Sequence, residues 1–167
     1  MRYHKITSPD INNGLGFRVT LWLSGCSLSC PGCHNPETHD FLGGKEFNED
    51  SLNFLLEKLD KPYIKGLTIS GGNPFESNLS ELLNIIKSVK NKFPKKDIWV
   101  FSGFTLQECL NRNSDAMNEI LNSIDYLVDG RFLIKELDLT LPFRGSKNQI
   151  IWKRTGDLTF ENISENL

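Results

Sequence analysis

The sequence predicts an α/β fold with a mostly parallel sheet. Short runs of branched and aromatic residues alternate with longer runs at helical apolar spacing, and polar or glycine-bearing turns separate them. Such alternation feeds right-handed crossovers between parallel strands. A chain of 167 residues suits a single domain with a real core. That core is expected over about residues 3–152, with a polar tail at 153–167 and both ends fraying.

The elements follow in order. Arg18-Val19-Thr20-Leu21-Trp22-Leu23-Ser24 reads as a buried first strand. A helix follows near Asn48, where Leu52, Leu55, Leu56 and Leu59 recur at helical spacing and Phe47 and Leu52 are placed as a hydrophobic staple. Gly66–Ser70 is the second strand. The next helix has Asn78 and Glu81 at capping-box spacing, then Leu79, Leu82, Leu83, Ile86 and Phe93 on one face. Asp97–Phe101 is a third strand. Thr105 and Glu108 cap a short helix, and Met117, Ile120, Leu121 and Ile124 mark another. Asp125–Asp129 supplies a fourth strand and Gln149–Trp152 a fifth.

The formal charge is −2 with no long run of one sign, so nucleic acid is not an expected partner. Neither a signal-peptide core nor a membrane-spanning apolar run is present, which makes the cytoplasm the default compartment. Thiols stay reduced there, and clustered cysteines read as metal ligands or catalytic groups before disulfides.

Function in strand–helix folds gathers at the carboxyl ends of the strands. Four segments are expected to meet there: the cysteine loop Gly25–Asn35, Gly71-Gly72-Asn73-Pro74, Ser102-Gly103-Phe104 and Asp129-Gly130-Arg131. Cys26, Cys30 and Cys33 form a C-x3-C-x2-C pattern of soft ligands suited to zinc or iron–sulfur. An electron-transfer cubane uses four cysteines, so three would leave one iron open to a substrate. Two other readings stand beside this one: a Cys3His zinc site completed by His34 or His39, and a ferredoxin-like cluster with Cys109 as fourth ligand. Cys109, beside Leu106 and Leu110, also reads as a packing residue.

The flanks add a resemblance. Gly14-Leu15-Gly16-Phe17-Arg18, Trp22, Gly25-Cys26, Cys30 and Cys33-His34-Asn35 resemble the signature G-x-G-x-[KR]-x3-F-x2-G-C-x3-C-x2-C-x-N of the glycyl-radical-enzyme activating family in the radical S-adenosylmethionine superfamily. Within it the chain is similar to the small activases of anaerobic ribonucleoside-triphosphate reductase. It shares with them Gly66–Pro74, Asp97-Ile98-Trp99, Val128-Asp129-Gly130 and Arg144–Gln149, and the likeness runs from about Tyr3 to Trp152. Trp22 replaces the usual Phe. Gly32 stands where an aromatic often packs on adenine, leaving that contact to His34 or Phe104.

The resemblance implies an incomplete (β/α) barrel of the radical SAM type, with a lateral opening for a macromolecular substrate. It implies a [4Fe–4S] cluster on Cys26, Cys30 and Cys33, with S-adenosylmethionine on its open iron. Gly71, Gly72 and Asn73 match the segment that receives the methionyl ammonium. Ser102 and Asp129 could meet the ligand's carboxylate or ribose, and Asp129 could help hold a monovalent cation. Each has a plainer alternative: a strand-to-helix turn at Pro74, and an Asx turn with Gly130. Arg131 and Arg144 could pair with a carboxylate or stay solvated. Trp99 and Trp152 read as core.

The implied activity is reductive cleavage of adenosylmethionine to a 5′-deoxyadenosyl radical that takes hydrogen from a glycine of the large reductase. An electron donor such as flavodoxin is required, and there is room for a homodimer. The alternatives are a small-molecule radical enzyme of deazapurine-synthase type and a zinc-stabilised interaction module.

Overall fold

The computed structural model describes residues 1–167 and is built on one eight-stranded sheet. In chain order the strands are β1 (Arg2–Asp10), β2 (Phe17–Leu23), β3 (Lys45–Glu46), β4 (Ile64–Gly71), β5 (Asp97–Phe101), β6 (Tyr126–Asp129), β7 (Ile150–Gly156) and β8 (Thr159–Asn162). The helices are α1 (Glu49–Leu59), α2 (Leu79–Lys92), α3 (Leu106–Arg112) and α4 (Asp115–Ser123). Across the sheet the order is β3-β1-β2-β4-β5-β6-β7-β8.

This corrects the expected architecture. The pairs β2·β4, β4·β5 and β5·β6 are parallel. The other four, β1·β2, β1·β3, β6·β7 and β7·β8, are antiparallel. The sheet is therefore mixed, with more antiparallel than parallel pairs, and is not the mostly parallel incomplete barrel the resemblance implied. The cause lies at both flanks, where hairpin-like returns replace helical crossovers. The polar tail does not fray: β8 folds back on β7, pairing Trp152 with Asn162 and Lys153 with Glu161.

Local sequence explains the helices. At α1 the Asn48 side chain accepts from the Ser51 N–H at 3.0 Å while the Ser51 hydroxyl accepts from the Asn48 N–H. Thr105 and Glu108 form the same reciprocal box at α3. At α2 only half of the expected box forms: Asn78 accepts from the Glu81 N–H, and no return bond is made.

The two sheet faces differ in kind. Val19, Leu21 and Leu23 of β2, Leu67 and Ile69 of β4, Ile98 and Val100 of β5 and Leu127 of β6 pack against the helices in a core of 23 buried residues. Alternation sends Arg18, Thr20, Thr68, Ser70, Trp99, Phe101 and Val128 to the opposite face. No helix covers that face. A smaller cluster of Trp99, Val128 and Ile151 fills part of it, joined by Leu15 and Phe143 from loops. The polar remainder borders a cavity.

Candidate metal centre

At the carboxyl ends of β2, β4, β5 and β6 the helix-free face opens into a cavity of about 400 Å³. Cys26, Cys30, Cys33 and His34 line it from the loop after β2, Gly71, Gly72 and Asn73 from the end of β4, and Ser102 and Gly103 from the end of β5. Three of the four expected segments thus meet. From the fourth only Gly130 reaches the wall.

The cysteine loop is held by backbone. The Gly72 N–H donates to Leu23 O at 2.9 Å and the Asn73 N–H to Gly25 O at 2.8 Å, continuing the β2·β4 ladder past the strand ends. A Cβ on Gly72 would lie 2.3 Å from Gly25 O, so no side chain fits at this crossing. Gly71 has φ +102, the conformation that turns the chain out of β4.

Side chains extend the same tie. The Ser102 hydroxyl donates to Asn73 Oδ1 at 3.0 Å and accepts from the Phe104 N–H. Asn73 Nδ2 donates to Glu76 at 3.2 Å, and the Glu76 carboxylate accepts from both the N–H and hydroxyl of Ser27. The chain Phe104–Ser102–Asn73–Glu76–Ser27 therefore couples the end of β5 to the cysteine loop. Burial pushes the Cys26 thiol above its ordinary pKa, and the Glu76 and Cys30 charges add to the rise. Metal binding at Cys26 must then release a proton.

His34 stands beside Phe132 with ring centroids 5.1 Å apart, over Gly145. His39 also lines the cavity, and its carbonyl accepts from the Cys26 N–H at 3.1 Å. No three His, Cys, Asp or Glu side chains converge on one point as the ligands of a single metal ion would. A cubane asks for something else: each thiolate binds its own iron, so the thiols must face a common space without meeting at a point. Three soft donors on one cavity wall fit that requirement. Cys109 stands apart, fully buried in the helix-side core, with burial pushing its thiol up to about 12. It is no fourth ligand.

Asp129 does not line the cavity. Alternation in β6 turns Val128 to the helix-free face and Asp129 to the helices. Its carboxylate accepts from the Leu106 N–H at 2.6 Å and the Ile150 N–H at 3.3 Å, which seats the start of α3 and of β7. Burial raises its pKa, against the lowering effect of those N–H groups. Arg131 also faces away, paired with Glu108 at 3.3 Å.

The structure adds cavity residues that sequence reasoning passed over. Ser70 follows from strand alternation, Asn12 and Asn13 come from the loop before β2, and Phe132 follows β6. Gln149 also lines the wall, as does Arg144, one of the two arginines considered for a carboxylate. Glu76 gave no signal beyond its place two residues after Pro74.

Comparison with known proteins agrees with this geometry. Residues 12–152 match the family model described as a 4Fe-4S single cluster domain. An anaerobic ribonucleoside-triphosphate reductase-activating protein of Vibrio cholerae is 39% identical over 158 residues, covering 93% of this chain and 99% of that one. Its counterpart in Pasteurella multocida is 41% identical over the same shares. The chain belongs to this activating-protein family. A more distant member, from enterobacteria phage T4, is 36% identical over 93% of this chain and 96% of its own. Members of bacteria and of a phage thus align over 93% of this chain. No helix is long and apolar enough to cross a membrane.

Proposed function

We propose that this chain is the activase of an anaerobic (class III) ribonucleoside-triphosphate reductase and that its cavity binds a [4Fe–4S] cluster and S-adenosylmethionine. One observation carries the reading: three cysteines and the glycine-lined end of β4 share one cavity in a chain that matches reductase-activating proteins over 93% of its length.

Cys26, Cys30 and Cys33 hold three irons as thiolates. When bound, the cluster, reduced by a donor such as flavodoxin, supplies the electron that splits adenosylmethionine into methionine and a 5′-deoxyadenosyl radical, which takes hydrogen from a reductase glycine.

The chain's own residues do the positioning. The backbone carbonyls of Gly71 and Gly72, on the cavity wall at the end of β4, are acceptors that suit the methionyl ammonium. Asn73 and Ser102 are bonded to each other and fix that corner rather than reaching out singly. His34, tilted against Phe132, offers a flat surface for the adenine. Leu28, Leu141 and Phe143 give the cavity apolar walls that exclude water from a radical. Leu133, Ile134, Leu137 and Leu139 lie exposed on the segment after β6, consistent with a protein substrate arriving at the mouth.

The test is anaerobic incubation with the large reductase, adenosylmethionine and a reductant. A glycyl-radical electron-spin signal on the reductase is expected. Its absence, with adenosylmethionine still cleaved to 5′-deoxyadenosine, would point to a small-molecule substrate instead.

A further inference from the structure

Glu76 serves the cysteine loop from outside the cavity, whose wall carries no aspartate or glutamate. It lies half-buried in the single turn Pro74–Glu76 that follows the glycines at the end of β4. One carboxylate oxygen accepts from the Ser27 N–H at 3.1 Å and from Asn73 Nδ2 at 3.2 Å, and the other accepts from the Ser27 hydroxyl. Ser27 is the residue next to Cys26, so the charge stands against the backbone beside a cysteine of the cluster loop.

Nothing cationic neutralises this carboxylate. Glu76 takes part in none of the six ion pairs of the fold. Arg112, the basic side chain that reaches this turn, donates to Phe75 O at 2.9 Å and lies 4.4 Å over the Phe104 ring. The carboxylate also engages a backbone donor. Elsewhere in the loop the Asn35 N–H donates to Cys33 Sγ at 3.4 Å, the kind of bond that raises a cluster's potential by stabilising charge on sulfur. The Ser27 N–H, beside Cys26, goes to Glu76 instead.

We propose that Glu76 is a positioning residue that ties down the Cys26 end of the loop and, by its fixed negative charge, lowers the reduction potential of the [4Fe–4S] cluster. The inference rests on the cluster reading above. Reduction adds an electron to the site, and a fixed negative charge nearby makes that step less favourable. Once loaded, the electron is more reducing, which suits cleavage of a sulfonium.

Glu76→Gln isolates the charge, because the amide can keep every bond. Its Oε1 accepts from the Ser27 N–H and Asn73 Nδ2, and its Nε2 donates to the Ser27 hydroxyl oxygen once that group turns. The test is a redox titration of anaerobically reconstituted protein without adenosylmethionine, following the electron-spin signal of the reduced cluster. Glu76→Gln should hold iron and sulfide as the unaltered protein does. Its midpoint should rise by about 30 mV or more, a roughly threefold gain in the one-electron reduction equilibrium. Glu76→Asp, which keeps the charge, should move the midpoint by less than half as much. The midpoint does not depend on how much protein is loaded, so partial occupancy leaves the comparison intact. An unchanged or lower midpoint in Glu76→Gln would overturn the proposal. Equal shifts in the Gln and Asp variants would do the same, since they would mark a bonding role without an effect of charge. A Gln variant that holds no cluster would also overturn it, because the carboxylate would then be needed for assembly and not for potential. If the unaltered protein assembles no iron–sulfur cluster, the cluster reading itself falls, and the Glu76 assignment with it.

Discussion

Replacing Arg18 with methionine should destabilise the protein severely, although Arg18 touches no cavity atom. The side chain is fully buried at the start of β2. It donates to Thr68 Oγ1 at 2.7 Å, Leu15 O at 3.0 Å and Leu67 O at 2.8 Å, and pairs with Asp97 Oδ1 at 2.7 Å. Its guanidinium also lies 5.6 Å over the Trp99 ring. Burial lowers its pKa and the Asp97 charge opposes that, so the pair stands or falls together. Methionine fills much of the volume but leaves Asp97 without its cation. Breaking a buried pair from one side costs about 3–5 kcal/mol. For a chain of this size each kcal/mol moves the midpoint by about 2–4 °C, so a fall of roughly 6–20 °C is expected. Thermal unfolding of cluster-free protein measures it without interference from iron. Arg18→Met combined with Asp97→Asn should cost less than the sum of the two single changes, because the orphaned carboxylate is gone. A midpoint shift under about 3 °C for Arg18→Met would refute the reasoning.

Other outcomes follow from the same geometry. Cys26→Ala, Cys30→Ala and Cys33→Ala should each lose iron and sulfide on anaerobic reconstitution, whereas Cys109→Ala should keep both; metal analysis separates the cases. The Cys109 thiol, with an ordinary pKa of 9.0, is pushed up to about 12 in the fold. Its raised value contributes stability that is complete below pH 9 and lost as the pH climbs towards 12, by about 1.4 kcal/mol per unit in that window. Unfolding curves of Cys109→Ala should lack that alkaline component; identical pH profiles for the two proteins would count against it. Gly72→Ala places a methyl 2.3 Å from Gly25 O, so the cysteine loop must move and iron incorporation should fall while far-ultraviolet dichroism stays near normal. Normal iron content in that variant would show that the crossing tolerates a side chain.

Much of the helix-side half was legible because it obeys local rules. The strands β2 and β4 alternate apolar with polar residues, β5 and β6 carry short apolar runs, and α1 and α3 start at boxes visible in the residues themselves. Pairing direction is not local. Arg2–Asp10 reads as polar because only Tyr3 in it is buried, yet it forms a strand nine residues long antiparallel to β2. Likewise β8 exposes three of its four residues, leaving little apolar pattern to find. The cysteine loop was legible as chemistry because thiol spacing is itself the signal. Asp129 was not, since its facing depends on the parity of β6 and only the settled register shows that it turns to α3.

The Gly14–Arg18 flank shows how the two kinds of information share one motif. Beside the cysteines it reads as part of a functional signature, and in the fold it makes no contact with them. Arg18 reaches across to Leu67, Thr68 and Asp97, binding the start of β2, the middle of β4 and the start of β5 together on the helix-free face. Thr68 passes the tie on, its hydroxyl donating to Asn13 O at 2.7 Å, and Asn13 lines the cavity. On this face hydrophobic packing is limited to the small cluster around Trp99, so the polar part of the wall depends on such a device. The arginine of the signature therefore serves the site through the wall. That is why its loss should register first in stability, and only through the loop at Asn13 in the chemistry.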